Sequence, residues 1–386
     1  MNGEEKKRFM ARSLELAQKG WGNTHPNPMV GAVIVENDRI VAEGWHEQAG
    51  QDHAEVAALK SLGRLPKPGA SLICTLEPCS TAGRTGPCTE AIVQAGLRHV
   101  IIGSVDPKPE HSGAGVEWLK KHGISVETRV LVDECDDLNL IYNNWVSRGR
   151  PLFAGKTATT IDGRIATRTG ESQWITGPSA RADVMRWRRL FPSIAVGSGT
   201  VLSDAPRLTS RREGEEEWSP IRFVFDGMLT SAMERTLPSI YTDEFSHRTV
   251  AVTTAQAGTG YARRIESGGA QVWVLPSINT QVPIGEFRSR CIEEGITGVY
   301  FEGGPRLLSE IIRERQLDYL FAYRAPILFG DERAPSTLRG LRTEKLEQGL
   351  RLENVRHATF DADQLMRGRL VYPGRLNVDE ILFGDG

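Results

Sequence analysis

The sequence His53-Ala54-Glu55 is followed by Pro78-Cys79 and then by Pro87-Cys88. One imidazole and two thiolates would give a zinc ion three protein ligands and leave its fourth position open for water. Glu55 lies two residues after the histidine, where its carboxylate can move protons without serving as a ligand. This pattern predicts a catalytic zinc site, with His53, Cys79 and Cys88 as metal ligands and Glu55 as the acid–base group.

The same arrangement is typical of zinc-dependent nucleobase deaminases, in which a zinc-activated water attacks a ring carbon. Glu55 would take a proton from the water and deliver it to the ring and to the departing ammonia, provided that its site is apolar enough to keep its pKa near the working pH. Cys88 stands at the start of a predicted helix, whose dipole favours a thiolate. The first third of the chain is therefore predicted to be a hydrolytic deaminase.

A closed structural zinc site is the alternative interpretation of these cysteines. Structural sites usually have four protein ligands, and no fourth cysteine or histidine lies close to these three residues in the sequence. His46 and His99 could still complete such a site, so the sequence leaves this alternative open. Cys74 is expected to be a buried strand residue, and Cys135 and Cys291 have no recognisable partners.

The composition is that of an ordinary globular protein and favours a small substrate. Of the 386 residues, 39% are hydrophobic and 25% are charged, and the net charge is −2. Because a nucleic-acid-binding protein usually has a basic excess, this balance argues against a nucleic-acid partner. The chain has two local arginine clusters, one of Arg186, Arg188 and Arg189 and one of Arg211 and Arg212. Each indicates either a solvated helix face or a site for an anionic ligand.

The sequence shows no mark of export or of membrane insertion. The charged start Glu4-Glu5-Lys6-Lys7-Arg8 leads into an amphipathic segment rather than an apolar one. No apolar run approaches the length needed to cross a bilayer. Five cysteines, an odd number in a long chain, fit a reducing compartment better than a disulfide framework. We therefore expect a cytoplasmic protein.

Helices and strands alternate along both halves of the chain, which predicts an α/β layered architecture. Helices are predicted at residues 4–19, 53–62, 87–95, 116–121, 179–190 and 305–315. Strands are predicted at residues 29–35, 40–44, 70–76, 100–105, 124–130, 153–158, 194–197, 221–226, 249–253, 271–275, 298–302, 319–325 and 352–359. The basic stretch 147–151 contains glycine and proline, so we place a boundary there, between domains of residues 1–148 and 149–386.

The second half contains two glycine motifs but no Gly-x-Gly-x-x-Gly after its first strand, so it lacks a standard Rossmann fingerprint. One motif is Gly197-Ser198-Gly199-Thr200, after a predicted strand, and the other is Glu302-Gly303-Gly304-Pro305, between a strand and a helix. A glycine pair at a helix start lets backbone N–H groups approach a phosphate. A plain tight turn would have the same composition, so each motif alone leaves both interpretations open.

The first domain resembles the deaminase domain of the bifunctional riboflavin-biosynthesis deaminase–reductase family. The resemblance rests on residues 24–31 (THPNPMVG), 53–55 (HAE), 76–80 (LEPCS) and 83–88 (GRTGPC). Eight residues separate the two cysteines, whereas cytidine and tRNA adenosine deaminases have Pro-Cys-x-x-Cys. The resemblance implies a cytidine-deaminase-like α/β/α layered fold, pyrimidine contacts at Asn27 and His46, and a loop at residues 80–85 that closes over the substrate.

The second domain resembles the reductase domain of the same family, which has a dihydrofolate-reductase-like α/β fold. The resemblance rests on Lys156 and on residues 162–164, 170–176, 196–209 and 301–304. It implies NADPH contacts at Ala158, Trp174, Thr200, Asp204, Gly304, Pro305, Arg306, Leu307, Leu308, Ser309 and Glu310. It implies substrate contacts at Ser172, Arg188, Leu208, Arg211 and Glu302. Arg188 and Arg211 would then be suited to the substrate's phosphate.

Together the two resemblances cover residues 8–372 and imply a bifunctional riboflavin-biosynthesis enzyme with zinc and NADPH as cofactors. The first domain would hydrolyse the 2-amino group of 2,5-diamino-6-(5-phosphoribosylamino)pyrimidin-4(3H)-one. The second would reduce 5-amino-6-(5-phosphoribosylamino)uracil to its ribitylamino product. Its partners would be these small molecules, with neither nucleic acid nor a membrane, and it would form a homo-oligomer, a dimer or a tetramer. The alternatives are an active deaminase with a non-catalytic scaffold as second domain, or a nucleic-acid or nucleoside deaminase.

Overall fold

The computed structural model describes residues 1–81, 86–109, 111–277 and 279–374. The chain divides into two compact units, residues 1–150 and residues 151–386, and each contains its own β-sheet. Helices and strands alternate in both, so the predicted α/β architecture is confirmed. Of the loop predicted to close over the substrate, Ala82–Thr85 lie outside the described residues.

The first unit consists of one mixed sheet with its helices. Its helices are α1 (Gly3–Ala17), α2 (Ala54–Leu62), α3 (Cys88–Gln94), α4 (Ala114–Lys121), α5 (Val132–Leu138) and α6 (Leu140–Arg148). Its strands are β1 (Gly31–Glu36), β2 (Arg39–Trp45), β3 (Ser71–Leu76), β4 (His99–Ser104) and β5 (Ser125–Glu127), and they lie in the order β2-β1-β3-β4-β5. Strands β3, β4 and β5 run parallel, whereas β1 is antiparallel to both of its neighbours.

The centre of this sheet is buried on both faces, which explains why its strands are continuous apolar runs in the sequence. Every residue of β1 and of β3 is buried. On the β2 side, Gly44 allows α2 to approach closely, since a Cβ there would lie 2.3 Å from the backbone nitrogen of Ala58. The parallel strands β3 and β4 end at the same edge, where the loop that carries Cys79 begins.

The second unit is a larger, mostly parallel sheet. Its helices are α7 (Pro178–Leu190), α8 (Ser198–Asp204), α9 (Thr259–Ser267), α10 (Ile284–Glu293) and α11 (Pro305–Arg313). Its strands are β6 (Leu152–Thr159), β7 (Ser193–Gly197), β8 (Ile221–Phe225), β9 (Thr249–Thr254), β10 (Gln271–Leu275), β11 (Gly298–Phe301), β12 (Tyr319–Arg324), β13 (Arg351–Phe360) and β14 (Asp363–Val371). Their order is β10-β9-β8-β7-β11-β6-β12-β14-β13, and β14 is antiparallel to both of its neighbours, β12 and β13.

The strand order creates a crevice between two neighbouring parallel strands. From β7 the chain passes through α8 to β8 on one side, whereas from β11 it passes through α11 to β12 on the other side. Ligands of open α/β sheets bind outside the carboxyl ends of strands at such a switch point. Both glycine motifs identified in the sequence lie here, directly after β7 and β11.

Several elements were not predicted from the sequence. They are helices α5, α6, α8, α9 and α10 and strand β14. Helix α6 runs through Arg148 and ends at Gly149, which has a φ of 61°, so part of the stretch interpreted as a boundary is helical. Among the described helices, none combines the length and the apolarity that crossing a bilayer requires.

Candidate active sites

Three of the predicted residues form a compact cluster in the first unit. His53 is the N-cap of α2, Cys88 is the first residue of α3, and Cys79 lies in the loop after β3. The His53 Nδ1 atom lies 3.5 Å from the Cys79 Sγ atom and 3.3 Å from the Cys88 Sγ atom. A tetrahedral zinc ion with bonds of about 2.0 Å to nitrogen and 2.3 Å to sulfur needs a nitrogen–sulfur separation of about 3.5 Å. The cluster therefore fits zinc.

The cluster has three members within the described residues, and their ligand atoms all lie within 4.8 Å of one another. Both ring nitrogens of His46 have other contacts, with the Asp52 carbonyl oxygen at 2.9 Å and the Asn27 amide nitrogen at 3.2 Å. His99 is an exposed residue of β4 outside the cluster. Neither histidine completes a closed site, so this geometry favours a catalytic centre over a structural one.

The two thiols differ in their surroundings. The Cys88 backbone N–H donates a hydrogen bond to the Cys79 sulfur at 3.4 Å. Hydrogen bonding by the Cys88 thiol and by His53 lowers the pKa of Cys79, whereas the hydrogen bond to Cys79 and burial raise the pKa of Cys88. A thiol that ionises readily is the form that a metal ion requires, because the thiolate is the ligand.

Glu55 lies beside the cluster in the first turn of α2. Its side chain is buried, and its Oε2 atom lies 3.6 Å from the Cys88 sulfur. Burial raises the pKa of the Glu55 carboxyl group. A carboxyl group with a raised pKa next to the metal ligands is suited to accept and return a proton at neutral pH.

The predicted pyrimidine contacts, Asn27 and His46, touch each other next to the cluster. The His46 Nδ1 atom faces the Asp52 carbonyl oxygen and must therefore carry the ring proton, which leaves Nε2 to accept from the Asn27 amide. Burial lowers the pKa of His46 and so favours this neutral form. The His46 ring also packs edge-on against His53 at 5.6 Å. The Asn27 amide oxygen takes no part in these contacts, so it can accept a hydrogen bond from a ligand.

Glu77 is a supporting residue whose role the sequence analysis missed. Its buried carboxylate accepts three backbone hydrogen bonds at 3.0 Å, from Asp106, Gly113 and Val116. These bonds join the loop after β4 and the start of α4 to the peptide that carries Cys79. The only sequence signal was the position of Glu77 in the quoted motif of residues 76–80, to which no role was assigned.

The second unit contains a cleft of about 1340 Å³ at the switch point between β7 and β11. All but one of the residues predicted to contact the cofactor and substrate of the reductase line it, namely Ala158, Ser172, Trp174, Arg188, Thr200, Asp204, Leu208, Arg211, Glu302, Gly304, Pro305, Arg306, Leu307, Leu308 and Glu310. The remaining one, Ser309, is fully buried and accepts a hydrogen bond from the Arg339 backbone N–H at 2.8 Å. Residues far apart in the sequence therefore share one concave surface.

A largely buried ionic group forms one wall of this cleft. The Arg188 guanidinium makes two hydrogen bonds with the Glu302 carboxylate, at 2.6 and 2.9 Å, and a third with the Thr209 carbonyl oxygen. The Lys156 Nζ atom lies 3.8 Å from the same carboxylate. Burial alone would raise the pKa of Glu302, but the charges of Arg188 and Lys156 lower it. Arg188 is thus paired with Glu302, and its predicted contact with the substrate's phosphate stays a prediction.

Other cleft residues were missed because nothing in the sequence marks them. Arg181 places its guanidinium 4.6 Å from the ring centroid of Trp174, whose side chain is 66% exposed. At another part of the wall, Gly227 approaches Thr280 so closely that a Cβ would lie 1.9 Å from the Thr280 carbonyl oxygen. Such contacts depend on the tertiary fold and leave no local sequence pattern.

Comparisons with known families match both units. The family described as the RibD C-terminal domain matches residues 153–366. The cytidine and deoxycytidylate deaminase zinc-binding region matches residues 3–104. The riboflavin biosynthesis protein RibD of Bacillus amyloliquefaciens is 38% identical over 332 residues, which cover 86% of this chain and 87% of that protein. The protein of the same name from Escherichia coli strain K12 is 36% identical over 373 residues, which cover 92% of this chain and 96% of that protein.

Solved structures give the same result across nearly the whole chain. RibD of Acinetobacter baumannii superposes with a TM-score of 0.77 at 30% identity and covers 96% of this chain and 100% of its own. The diaminohydroxyphosphoribosylaminopyrimidine deaminase/5-amino-6-(5-phosphoribosylamino)uracil reductase of Thermotoga maritima also has a TM-score of 0.77, at 33% identity, with 96% and 99% covered.

Proposed function

Because this chain belongs to the RibD family of riboflavin-biosynthesis proteins, we propose that two separate sets of its residues carry out the two reactions of that family. The chain is a bifunctional enzyme, a zinc-dependent deaminase and an NADPH-dependent reductase. Its deaminase acts on 2,5-diamino-6-(5-phosphoribosylamino)pyrimidin-4(3H)-one, and its reductase acts on 5-amino-6-(5-phosphoribosylamino)uracil. The predicted fold class, function and cofactors are thereby confirmed.

For the deamination, the observation that carries the assignment is the cluster of His53, Cys79 and Cys88 beside the buried Glu55. Zinc, when bound, supplies a nucleophile formed from water at neutral pH, because it lowers the pKa of the water. Glu55 accepts one proton from the attacking water and gives it to the ring nitrogen, and then moves the second proton from the new hydroxyl group to the departing amino group. Asn27, oriented by His46, accepts a hydrogen bond from the pyrimidine and fixes its position.

For the reduction, the supporting observation is that the proposed contacts converge on one cleft. NADPH, when bound, supplies the hydride. The backbone at Gly303 and Gly304 has no bulky side chain and lets the cofactor phosphates approach the start of α11. Arg211 is exposed at the cleft and binds the substrate's phosphate, whereas Glu302 contacts the substrate with its charge balanced by Arg188 and Lys156.

The assignment of reactions to parts of the chain follows the two compact units. We place the deaminase in residues 1–148 and the reductase in residues 149–386, and the division of the structure after residue 150 supports this assignment. A retained cleft with its predicted residues favours an active reductase over a scaffold. We also propose a cytoplasmic location, supported by five free cysteines, which cell fractionation would test. A homo-oligomer, a dimer or a tetramer, stays a prediction of the family resemblance that sedimentation equilibrium would test.

The zinc assignment is tested by following ammonia release from the diaminopyrimidine substrate without NADPH. We expect release by the zinc-loaded chain, loss after chelation and recovery when zinc is returned. The Cys88→Ala variant is expected to bind little zinc and to gain nothing from its return. Ammonia release that persists in a chain shown by elemental analysis to be free of metal would contradict the assignment.

A further inference from the structure

The reductase cleft has to bind several phosphate groups, which come from the cofactor and from the substrate. NADPH carries a pyrophosphate and a separate phosphate on the adenosine 2′-oxygen, and the substrate carries its own phosphate. Phosphates are usually held by arginine or lysine or by backbone N–H groups. Among the described residues, seven cationic side chains line the cleft: Lys156, Arg181, Arg188, Arg207, Arg211, Arg306 and Arg339.

Protein groups already occupy most of these cations. Lys156 and Arg188 share the Glu302 carboxylate, at 3.8 and 2.6 Å. Arg207 pairs with two glutamates, Glu217 at 2.9 Å and Glu244 at 2.5 Å.

Of the other arginines in the cleft, Arg181 has protein partners and Arg211 already has a proposed ligand. Arg181 donates to the Thr176 carbonyl oxygen and lies over the Trp174 ring. The pKa of Glu217 is lowered chiefly by its hydrogen bond with Arg207 and less by the charge of Arg211. Arg211 is the group that the proposed function gives to the substrate's phosphate.

Arg306 and Arg339 are different. Both are exposed at the cleft, and within the described parts of the chain neither side chain has an ion pair or a hydrogen bond. Arg306 is the second residue of α11, whose first turn contains no acidic residue. A cation at this end of a helix is unfavourable by itself because of the helix dipole, so an anion beside it would be stabilising.

The backbone at Arg339 is attached to α11, the helix that carries Arg306. The Arg339 backbone N–H donates to the Ser309 Oγ atom at 2.8 Å, and Ser309 itself is fully buried. Ser309 follows Arg306 by three residues, which places the two on the same face of a helix. The segment that carries Arg339 is thus anchored to the helix that carries Arg306, and both side chains line the same cleft.

We propose that Arg306 and Arg339 bind the 2′-phosphate of NADPH and thereby make this reductase prefer NADPH to NADH. The inference rests on the proposed reductase function and names the residues that select its cofactor. The pyrophosphate, which NADH also has, is left to the backbone at Gly303 and Gly304, and the substrate's phosphate is left to Arg211. Each of the three anionic groups then has its own partner.

The test is isothermal titration of the full-length, zinc-loaded chain with NADPH, NADH and two non-redox fragments, 2′,5′-ADP and ADP. We expect Arg306→Gln and Arg339→Gln each to weaken binding of NADPH and of 2′,5′-ADP by about 10- to 100-fold, with binding of NADH and ADP changed by less than about threefold. Arg290→Gln is the control, since Arg290 lies on α10, pairs with Glu293 and Glu294 and is not a cleft residue.

Three results would overturn the proposal. Equal losses for NADPH and NADH would assign the arginines to the pyrophosphate. Unchanged NADPH binding in the double variant would show that other groups bind the 2′-phosphate, and equal affinity of the wild-type chain for the two cofactors would show that no selection exists. A wild-type chain that binds neither cofactor would instead refute the proposed reductase function itself, and the selection with it.

Discussion

The metal centre of the first unit consists of a few closely spaced atoms, whereas the cleft of the second unit is lined by many residues from distant parts of the chain. The metal centre brings three ligand atoms within 4.8 Å of one another, and each of them comes from the start of a helix or from one loop. The cleft of about 1340 Å³ collects residues from all along the second unit, including β6, α7, α8 and α11. Metal chemistry needs particular atoms at fixed distances, whereas hydride transfer by a bound cofactor needs mainly orientation and charge complementarity.

The electrostatic difference between the sites follows from this. Glu55 is buried with no cation bonded to it among the described residues, and burial raises its pKa. Glu302 is also buried, but two cations lower its pKa and keep it charged. One carboxyl group is placed to exchange a proton, and the other is placed as a fixed charge. Substitutions at each should therefore have different consequences.

The largest expected effect is on the metal centre. Replacing Glu55 by glutamine keeps the side chain's size but removes its ability to carry the proton, so we expect deamination to slow by about 10²- to 10⁴-fold. Zinc content should not change, because Glu55 is not one of the clustered ligands. Reduction of the separately supplied deaminated substrate should be unaffected. Deamination within tenfold of the wild-type rate would remove Glu55 from the proton transfer.

In the cleft, the carboxylate of Glu302 is expected to contribute to the free energy of unfolding. Glu302→Gln leaves Arg188 and Lys156 without their buried partner, and breaking a buried ion pair on one side costs about 3–5 kcal/mol. Urea unfolding should show that loss. The control is Glu294→Gln, because Glu294 pairs with Arg290 on the surface, where a pair contributes about 1 kcal/mol or less. Equal losses in both variants would show that the Glu302 group is not specially coupled.

The shape of the cleft wall can be tested with two glycines of the second unit. A Cβ at Gly227 would lie 1.9 Å from the Thr280 carbonyl oxygen, so Gly227→Ala is expected to lower the free energy of unfolding by about 1–3 kcal/mol. Gly285, within α10, has no atom within 4 Å of its Cβ position, so Gly285→Ala should raise stability by about 0.5–1 kcal/mol. Chemical denaturation measures both, and effects of the same sign would contradict the described packing.

The smallest expected effect concerns the substrate contacts of the metal centre. His46→Ala removes one hydrogen bond that orients the Asn27 amide, and such a bond contributes about 1 kcal/mol. We expect KM for the diaminopyrimidine to rise about fivefold, with a smaller change in kcat. Steady-state kinetics of ammonia release would show this, and a loss in kcat alone would point instead to the histidine's packing against His53.

The same comparison shows what can be predicted from sequence. Because zinc accepts few residue types, the combination and spacing of His53, Cys79 and Cys88 were recognisable in the sequence, and the structure brings the three residues together. The central strands were predicted because they are buried on both faces and therefore apolar. Charge pairing was not predictable, because the bond between Arg188 and Glu302 joins distant parts of the chain and leaves no local sequence pattern.

Two helices and the last strand of the second unit were harder to predict. Helices α9 and α10 were missed because few of their residues are buried and many are charged. Strand β14 was missed because the turn between β13 and β14 contains no glycine or proline. Cleft residues such as Gly227 and Thr280 meet only through the fold. What the sequence does not contain is the set of long-range neighbours that determines such contacts.

The most direct test of two activities in one chain is mass spectrometry of the products formed from the diaminopyrimidine phosphoribosyl substrate, with and without NADPH. We predict replacement of an amino group by oxygen without NADPH and a further gain of two hydrogens when NADPH is present. Glu55→Gln should slow the first change by about 10²- to 10⁴-fold yet leave the second intact when the deaminated compound is supplied. Deamination with no gain of hydrogens in the presence of NADPH would contradict an active reductase in the second unit.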